Sequence, residues 1–192
     1  MHGPAQAAWL LVALCAATGA YCLLRMRSRI EEQRRTAGGE ALMGFGMAVM
    51  AVPAAVVALP RWTWLVSAAV FGAASLHGLW RSRGAARQDR HHVHHLIGAL
   101  AMVYMSVAML AAPGGHAGHA GVGLPPLTGV LLLYFAGYVL WSGLRLAPAG
   151  TAAAGDGAVG GPPVLRWGDR RELALACRLS MGIGMLAMLL TL

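Results

Sequence analysis

Six apolar runs, each about as long as a bilayer crossing, constrain this chain more than any other feature. They cover roughly residues 7–24, 41–59, 62–80, 95–112, 127–146 and 171–192. About 20 residues at a rise of 1.5 Å cross a hydrocarbon core of ~30 Å. Only helices and closed barrels satisfy their backbone groups there, and runs of this length predict helices. The expected fold is therefore all-α: a polytopic membrane protein with six transmembrane helices in one domain, residues 1–192. Composition agrees. Hydrophobic residues make up 58% of the chain and charged residues only 11%, where a soluble domain carries about a quarter charged residues.

The charge is placed as a membrane protein would place it. The net charge of +8 is due to arginine, since the chain has no lysine. A basic chain raises the question of nucleic acid. Here, however, the arginines lie in short segments between apolar runs, where the tendency of positive charge to stay on the cytoplasmic side explains them better. Arg25, Arg27, Arg29, Arg34 and Arg35 follow the first run, Arg81, Arg83, Arg87 and Arg90 the third, and Arg145, Arg166, Arg170 and Arg171 the fifth. The connections after the second and fourth runs hold only Arg61, and Arg178 lies inside the sixth. That distribution predicts both termini outside a bacterial plasma membrane. The first run has its charge behind it, so an uncleaved helix is expected rather than a signal peptide. Pro53 predicts a kink in the second span, Pro60-Arg61 a tight turn, and Trp62 and Trp64 an interfacial anchor. Residues 147–168 are rich in Gly, Ala and Pro and read as a loose loop. Cys15, Cys22 and Cys177 lie in or beside apolar runs and do not form a disulfide framework.

An internal repeat organises the spans. EALMGFGMAVM from Glu40, HLIGALAMVYM from His95 and RLSMGIGMLAM from Arg178 align without gaps. Each begins on an ionisable residue and carries methionine at offsets 7 and 10. Offsets 4 and 6 are always small: Gly44 and Gly46, Ala99 and Ala101, Gly182 and Gly184. Such self-similarity signals repeated units, here three tandem helical hairpins. Small residues let the even-numbered helices approach one another. Around a common axis, Met47, Met102 and Met185 would form one layer. Met50, Met105 and Met188 would form a second, about 4.5 Å further out. Met43 and Met181 would make a partial third, and Glu40, His95 and Arg178 would cluster at the cytoplasmic end, with Glu40 pairing Arg178.

Thioethers are soft ligands that select Cu(I). The expected function is binding or handling a soft metal, foremost Cu(I), by these eight methionines, with His95 and His77 at the cytoplasmic mouth. His91, His92 and His94, the loop residues His116 and His119, and the three cysteines are further donors. The bland alternative is packing, because methionine is a flexible gap-filler; the protein is then a non-catalytic scaffold or accessory subunit. On the same view HHVHH is a solvated, basic helix start. A remote alternative is haem, with His77 and His95 as axial ligands. The chain has no G-x-x-x-x-G-K-[ST], H-E-x-x-H or G-x-S-x-G motif. No enzymatic activity is expected from it; the expected partners are the lipid bilayer and a soft metal ion, with no nucleic acid, and no protein partner is readable from the sequence.

The three methionine-bearing helices, the His-rich lead-in to HLIGALAMVYM and the Arg-rich connections resemble the actinobacterial membrane family of domain of unknown function 5134. The resemblance covers nearly the whole chain. It implies a polytopic membrane protein and brings no activity, cofactor or site residue. Gly98 departs from the repeat, since methionine stands at that offset in the other two helices.

Overall fold

The computed structural model describes residues 3–28, 31–53, 56–57, 59–82, 90–111, 123–152 and 171–192. Six helices follow in order: α1 (Gly3–Arg25), α2 (Glu31–Met50), α3 (Arg61–Ser82), α4 (Arg90–Ala111), α5 (Pro125–Ala152) and α6 (Arg171–Leu190). No strand occurs among the described residues. Five of the six helices, all but α2, are long and apolar enough to cross a membrane. The surface fits that reading, for Leu10, Trp80, Leu133 and Leu190 are each more than 70% exposed. Exposed apolar surface on that scale marks a face that meets something other than water.

The second helix differs from expectation. An apolar span over 41–59 with a kink at Pro53 was expected. Instead α2 starts at Glu31 and stops at Met50, and the described residues of 51–60 are not helical. The charged stretch Glu31–Gly39, expected as a connection, is the first half of the helix. The reason is Pro53. Proline has no N–H for the carbonyl four residues back and drives the residue before it out of the α region. The Val49 carbonyl is met by Val52 N at 3.4 Å, and the chain then turns, with Val56 N and Val57 N both donating to Pro53 O.

The most extensive packing joins consecutive helices: α1 with α2, α3 with α4, and α5 with α6. Beyond these pairs, α2 packs on both α4 and α6, and α6 also packs on α1. Contacts fix the directions. Gly19 meets Gly44 and Arg25 meets Glu40, so α1 and α2 are antiparallel. Met43 meets Gly98 and Met102 meets Gly46, so α2 and α4 run the same way. Arg178 meets Glu40 and Gly184 faces Met47, so α6 runs with them.

Glycine sets the closest of these approaches. A Cβ on Gly44 would lie 2.8 Å from Gly19 Cα and 3.2 Å from the Cys15 carbonyl oxygen. The two backbones touch there, so no side chain fits between them. Buried hydroxyls return to their own helices. Thr18, Ser75 and Ser106 each donate to the carbonyl four residues back at 2.8 Å, so each of these buried hydroxyls keeps a partner. Arg61, the one arginine in the connections after the second and fourth runs, donates to the Leu110 carbonyl at 3.0 Å. It thereby caps the C-terminal end of α4, where a cation is favourable.

Gly44→Leu should therefore loosen the α1–α2 pair by roughly 1–3 kcal/mol or more, seen as a lower thermal midpoint of the purified protein in mild detergent. Gly72→Leu is the control, because a Cβ there meets nothing within 4 Å. Equal midpoints for the two variants would refute the close-approach account.

Candidate functional site: a buried carboxylate above a methionine core

Glu40 sits on the α2 face that looks toward α1, α4 and α6, and its side chain is fully buried. A lone carboxylate there would lose several kcal/mol of solvation, so it must be paired and hydrogen-bonded. Arg25 of α1, itself 1% exposed, donates from Nη1 to Oε2. Arg178 of α6 donates from Nε to Oε1 at 2.8 Å. His95 of α4 brings Nε2 to 3.9 Å from Oε1. The Cys22 thiol donates to Oε2 at 3.7 Å. One side chain thus ties four helices together.

Among the described side chains, the paired charges are two cations to one anion. Glu40 is the one buried carboxylate among the described residues, and two guanidiniums are paired to it. The Nε of Arg25 is buried and finds no hydrogen-bond partner among the described residues.

Beside this cluster His94 of α4 lies between side chains of α5. Its ring stacks on Tyr138 with centroids 3.7 Å apart and planes 12° from parallel. Its Nδ1 lies 3.1 Å from the Tyr134 hydroxyl. The expected solvated start to this helix is thus corrected at His94, which is half-buried against Tyr134, Phe135 and Tyr138. Flat rings cover each other at little entropic cost, and the polar ring nitrogen keeps a partner.

Further along the same helices lies the methionine core. Met43, Met47, Met102, Met105, Met181, Met185 and Met188 are all buried in one cluster with Cys15, Phe71, Leu131, Phe135 and Leu189, and half-buried Met50 packs against it. Several thioethers sit over glycines of a neighbouring helix. The Met43 sulfur lies 3.1 Å from where a Gly98 Cβ would stand. The Met102 methyl lies 3.1 Å from the same point on Gly46, and the Met47 sulfur 3.7 Å from that on Gly184.

Of the residues singled out in the sequence, the structure brings the eight methionines into one core and sets His95 beside Glu40. His77 is exposed on α3, and none of the described contacts joins it to His95. His116 and His119 lie outside the described residues, as do the side chains of His91 and His92. No group of three or more His, Cys, Asp or Glu side chains among the described residues is placed to hold a metal ion, so any metal held here is held largely by thioethers or by fewer donors. Sequence reasoning missed Arg25 and the place of Cys22 beside Glu40, and it named His94 only as a further donor. The first two had a signal. Cys15, Thr18, Cys22 and Arg25 recur at spacings of three and four, which is one helix face, and all four are buried.

With this geometry in view, comparison with known proteins decides the family. Residues 32–192 match the family described as domain of unknown function (DUF5134). The chain belongs to that family. The matched region holds Glu40, His95, Arg178 and all eight core methionines, and it leaves out α1 with Arg25 and Cys22. No curated protein and no solved structure matches the chain.

Removing Glu40 should be costly. Glu40→Leu leaves Arg25 buried without a counter-charge, a change worth about 3–5 kcal/mol. The double variant Glu40→Leu/Arg25→Leu should recover much of that loss in thermal unfolding. A double variant as unstable as the sum of its single variants would show that the two residues are not coupled.

Proposed function

We propose that this DUF5134 protein is a multi-pass protein of a bacterial, specifically actinobacterial, plasma membrane. It is built as three tandem hairpins with both termini outside, is not an enzyme, and binds or handles a soft metal ion, foremost Cu(I). The observation that carries the reading is the burial of Met43, Met47, Met102, Met105, Met181, Met185 and Met188, from three helices, in one cluster. Thioethers collected in a water-poor interior offer soft, neutral donors that harder cations do not favour. Their parallel helices set Met47, Met102 and Met185 at equal offsets from Glu40, His95 and Arg178, so a layer of three donors is available to a low-coordinate ion. The charged cluster at one end gives the core a polar mouth, to which His95 belongs. Exposed His77 stands outside it, and the haem alternative through that pair draws correspondingly little support.

A second reading is favoured by one specific observation. The thioethers of Met43, Met47 and Met102 lie over glycines of the facing helix. Such seats are what packing alone would produce, and they suit a scaffold or accessory subunit with no metal.

Metal content separates the two. The protein purified from copper-grown cells should carry copper, and a variant with leucine at Met47, Met50, Met102, Met105, Met185 and Met188 should lose most of it. Equal copper in both proteins would leave the packing reading standing. Orientation is tested independently. Alkaline phosphatase fused after Leu192 should be active, since it folds only outside the cytoplasm, and a silent fusion would reverse the proposed topology.

A further inference from the structure

Cys22 and Cys177 have no part in the methionine layers, and the register of α1 and α6 places them together beside the charged cluster. On α1 and α6, Thr18 Oγ1 lies 3.2 Å from Ser180 Oγ. One turn further on, the Cys15 sulfur lies 3.4 Å from the Cβ position of Gly184. Antiparallel helices in this register set Cys22 opposite Cys177. Both lie near Arg25 and Glu40, and Cys22 is hydrogen-bonded to Glu40. Neither is in a disulfide. Cys22 is fully buried and Cys177 half-buried, so the pair is reached from the Cys177 side.

Among the described side chains, cations outnumber anions beside the two thiols. Arg25 and Arg178 bring two positive charges to the single carboxylate of Glu40. Arg25 still has a buried Nε with no acceptor among the described residues. In a low-dielectric interior an uncompensated cation is costly. A thiolate is a good acceptor for a guanidinium, and a thiol that coordinates a metal ion is deprotonated by it.

We infer that Cys22 and Cys177 form a two-coordinate thiolate site for Cu(I), seated against Arg25 and Arg178. This rests on the soft-metal reading and names a site apart from the methionine layers. On binding, each thiol releases its proton to solvent, two Cu–S bonds form, and the metal keeps its oxidation state. The bis-thiolate complex carries one net negative charge. Added to two guanidiniums and one carboxylate, it brings the cluster to neutrality. The hydrogen bond from Cys22 to Glu40 is given up, and the free Nε of Arg25 gains a sulfur acceptor. Cys15 lies on the same face seven residues from Cys22, next to the Met47 sulfur at Gly184, so soft donors continue from this site toward the methionine core.

The test is titration of the full-length apo-protein in detergent with Cu(I) held by a chromophoric chelator. Three proteins are compared: unmutated, Cys22→Ser/Cys177→Ser, and Met47→Leu/Met102→Leu/Met185→Leu. The cysteine variant should lose the tightest equivalent of Cu(I), at least tenfold in affinity. The near-ultraviolet absorption of a thiolate–Cu(I) bond should appear in the unmutated protein and the methionine variant and be absent from the cysteine variant. If the cysteine variant fails to fold, the unmutated protein decides alone: the absorption together with Cu(I)-dependent protection of Cys177 from maleimide supports the site, and the lack of either overturns it. A cysteine variant that binds as tightly as the unmutated protein overturns the thiolate site but leaves the methionine reading intact. No Cu(I) bound by the unmutated protein overturns both.

Discussion

A carboxylate with no access to water fixes how this bundle is put together. Glu40 is fully buried, and its charge is tolerable only where several donors converge on it. Two arginines from other helices pair with it, Arg25 from α1 and Arg178 from α6, and His95 of α4 stands close by. Hydrophobic burial does not specify how far one helix is slid along another. Pairing to a single point does, because a slip by one turn would move an arginine about 5.4 Å along the helix axis and strand both charges. The cluster therefore sets the register of four helices, and that register determines which side chains meet in the layers beyond it.

What meets there is methionine on glycine. Where α2 approaches α4, Gly46 and Gly98 each receive a methionine from the other helix. The departure of Gly98 from the internal repeat follows from this geometry. A Cβ at that position would lie 2.7 Å from the Met43 methyl, so a larger side chain at 98 and the buried conformer of Met43 exclude each other. Gly98 is thus a seat for Met43. An unbranched side chain suits such seats, because it can thread a narrow groove and place its polarizable sulfur where a branched residue would clash.

Much of this was legible in the sequence, and what was missed has physical causes. Five helices lie where apolar length places them, since an unbroken run of about twenty apolar residues is a strong signal. Aligning Glu40, His95 and Arg178 at one offset anticipated that these residues would be neighbours, because equal offsets on parallel helices reach equal depth. The second helix was misplaced because hydropathy does not register hydrogen-bonding capacity. Ala51–Leu59 is as apolar as a span, yet Pro53 ends the helix ahead of it. Arg25 was taken for a loop charge because counting arginines by connection ignores which way a side chain at a helix end turns. Its spacing from Cys22 and Thr18 held the missing information. His94 was named only as one donor among four histidines, and the facing ring of Tyr138 is what distinguishes it.

These features combine on α2. It is the one helix not apolar enough to cross a membrane on composition, and it packs on α1, α4 and α6. The two facts belong together. A helix carrying Glu31, Arg34 and Glu40 gains little from lipid, so it needs neighbours that satisfy its polar groups and small residues that let those neighbours close in. Gly44 supplies the contact with α1, Gly46 that with α4, and Glu40 the charge anchor. The same helix carries Met43 and Met47 into the core. Because the anchor and the thioethers share one rigid rod, anything that alters the charge balance at Glu40 acts on the placement of those sulfur atoms a turn or two away. Ion pairing and sulfur packing in this protein are thus joined through the helix that depends most on both.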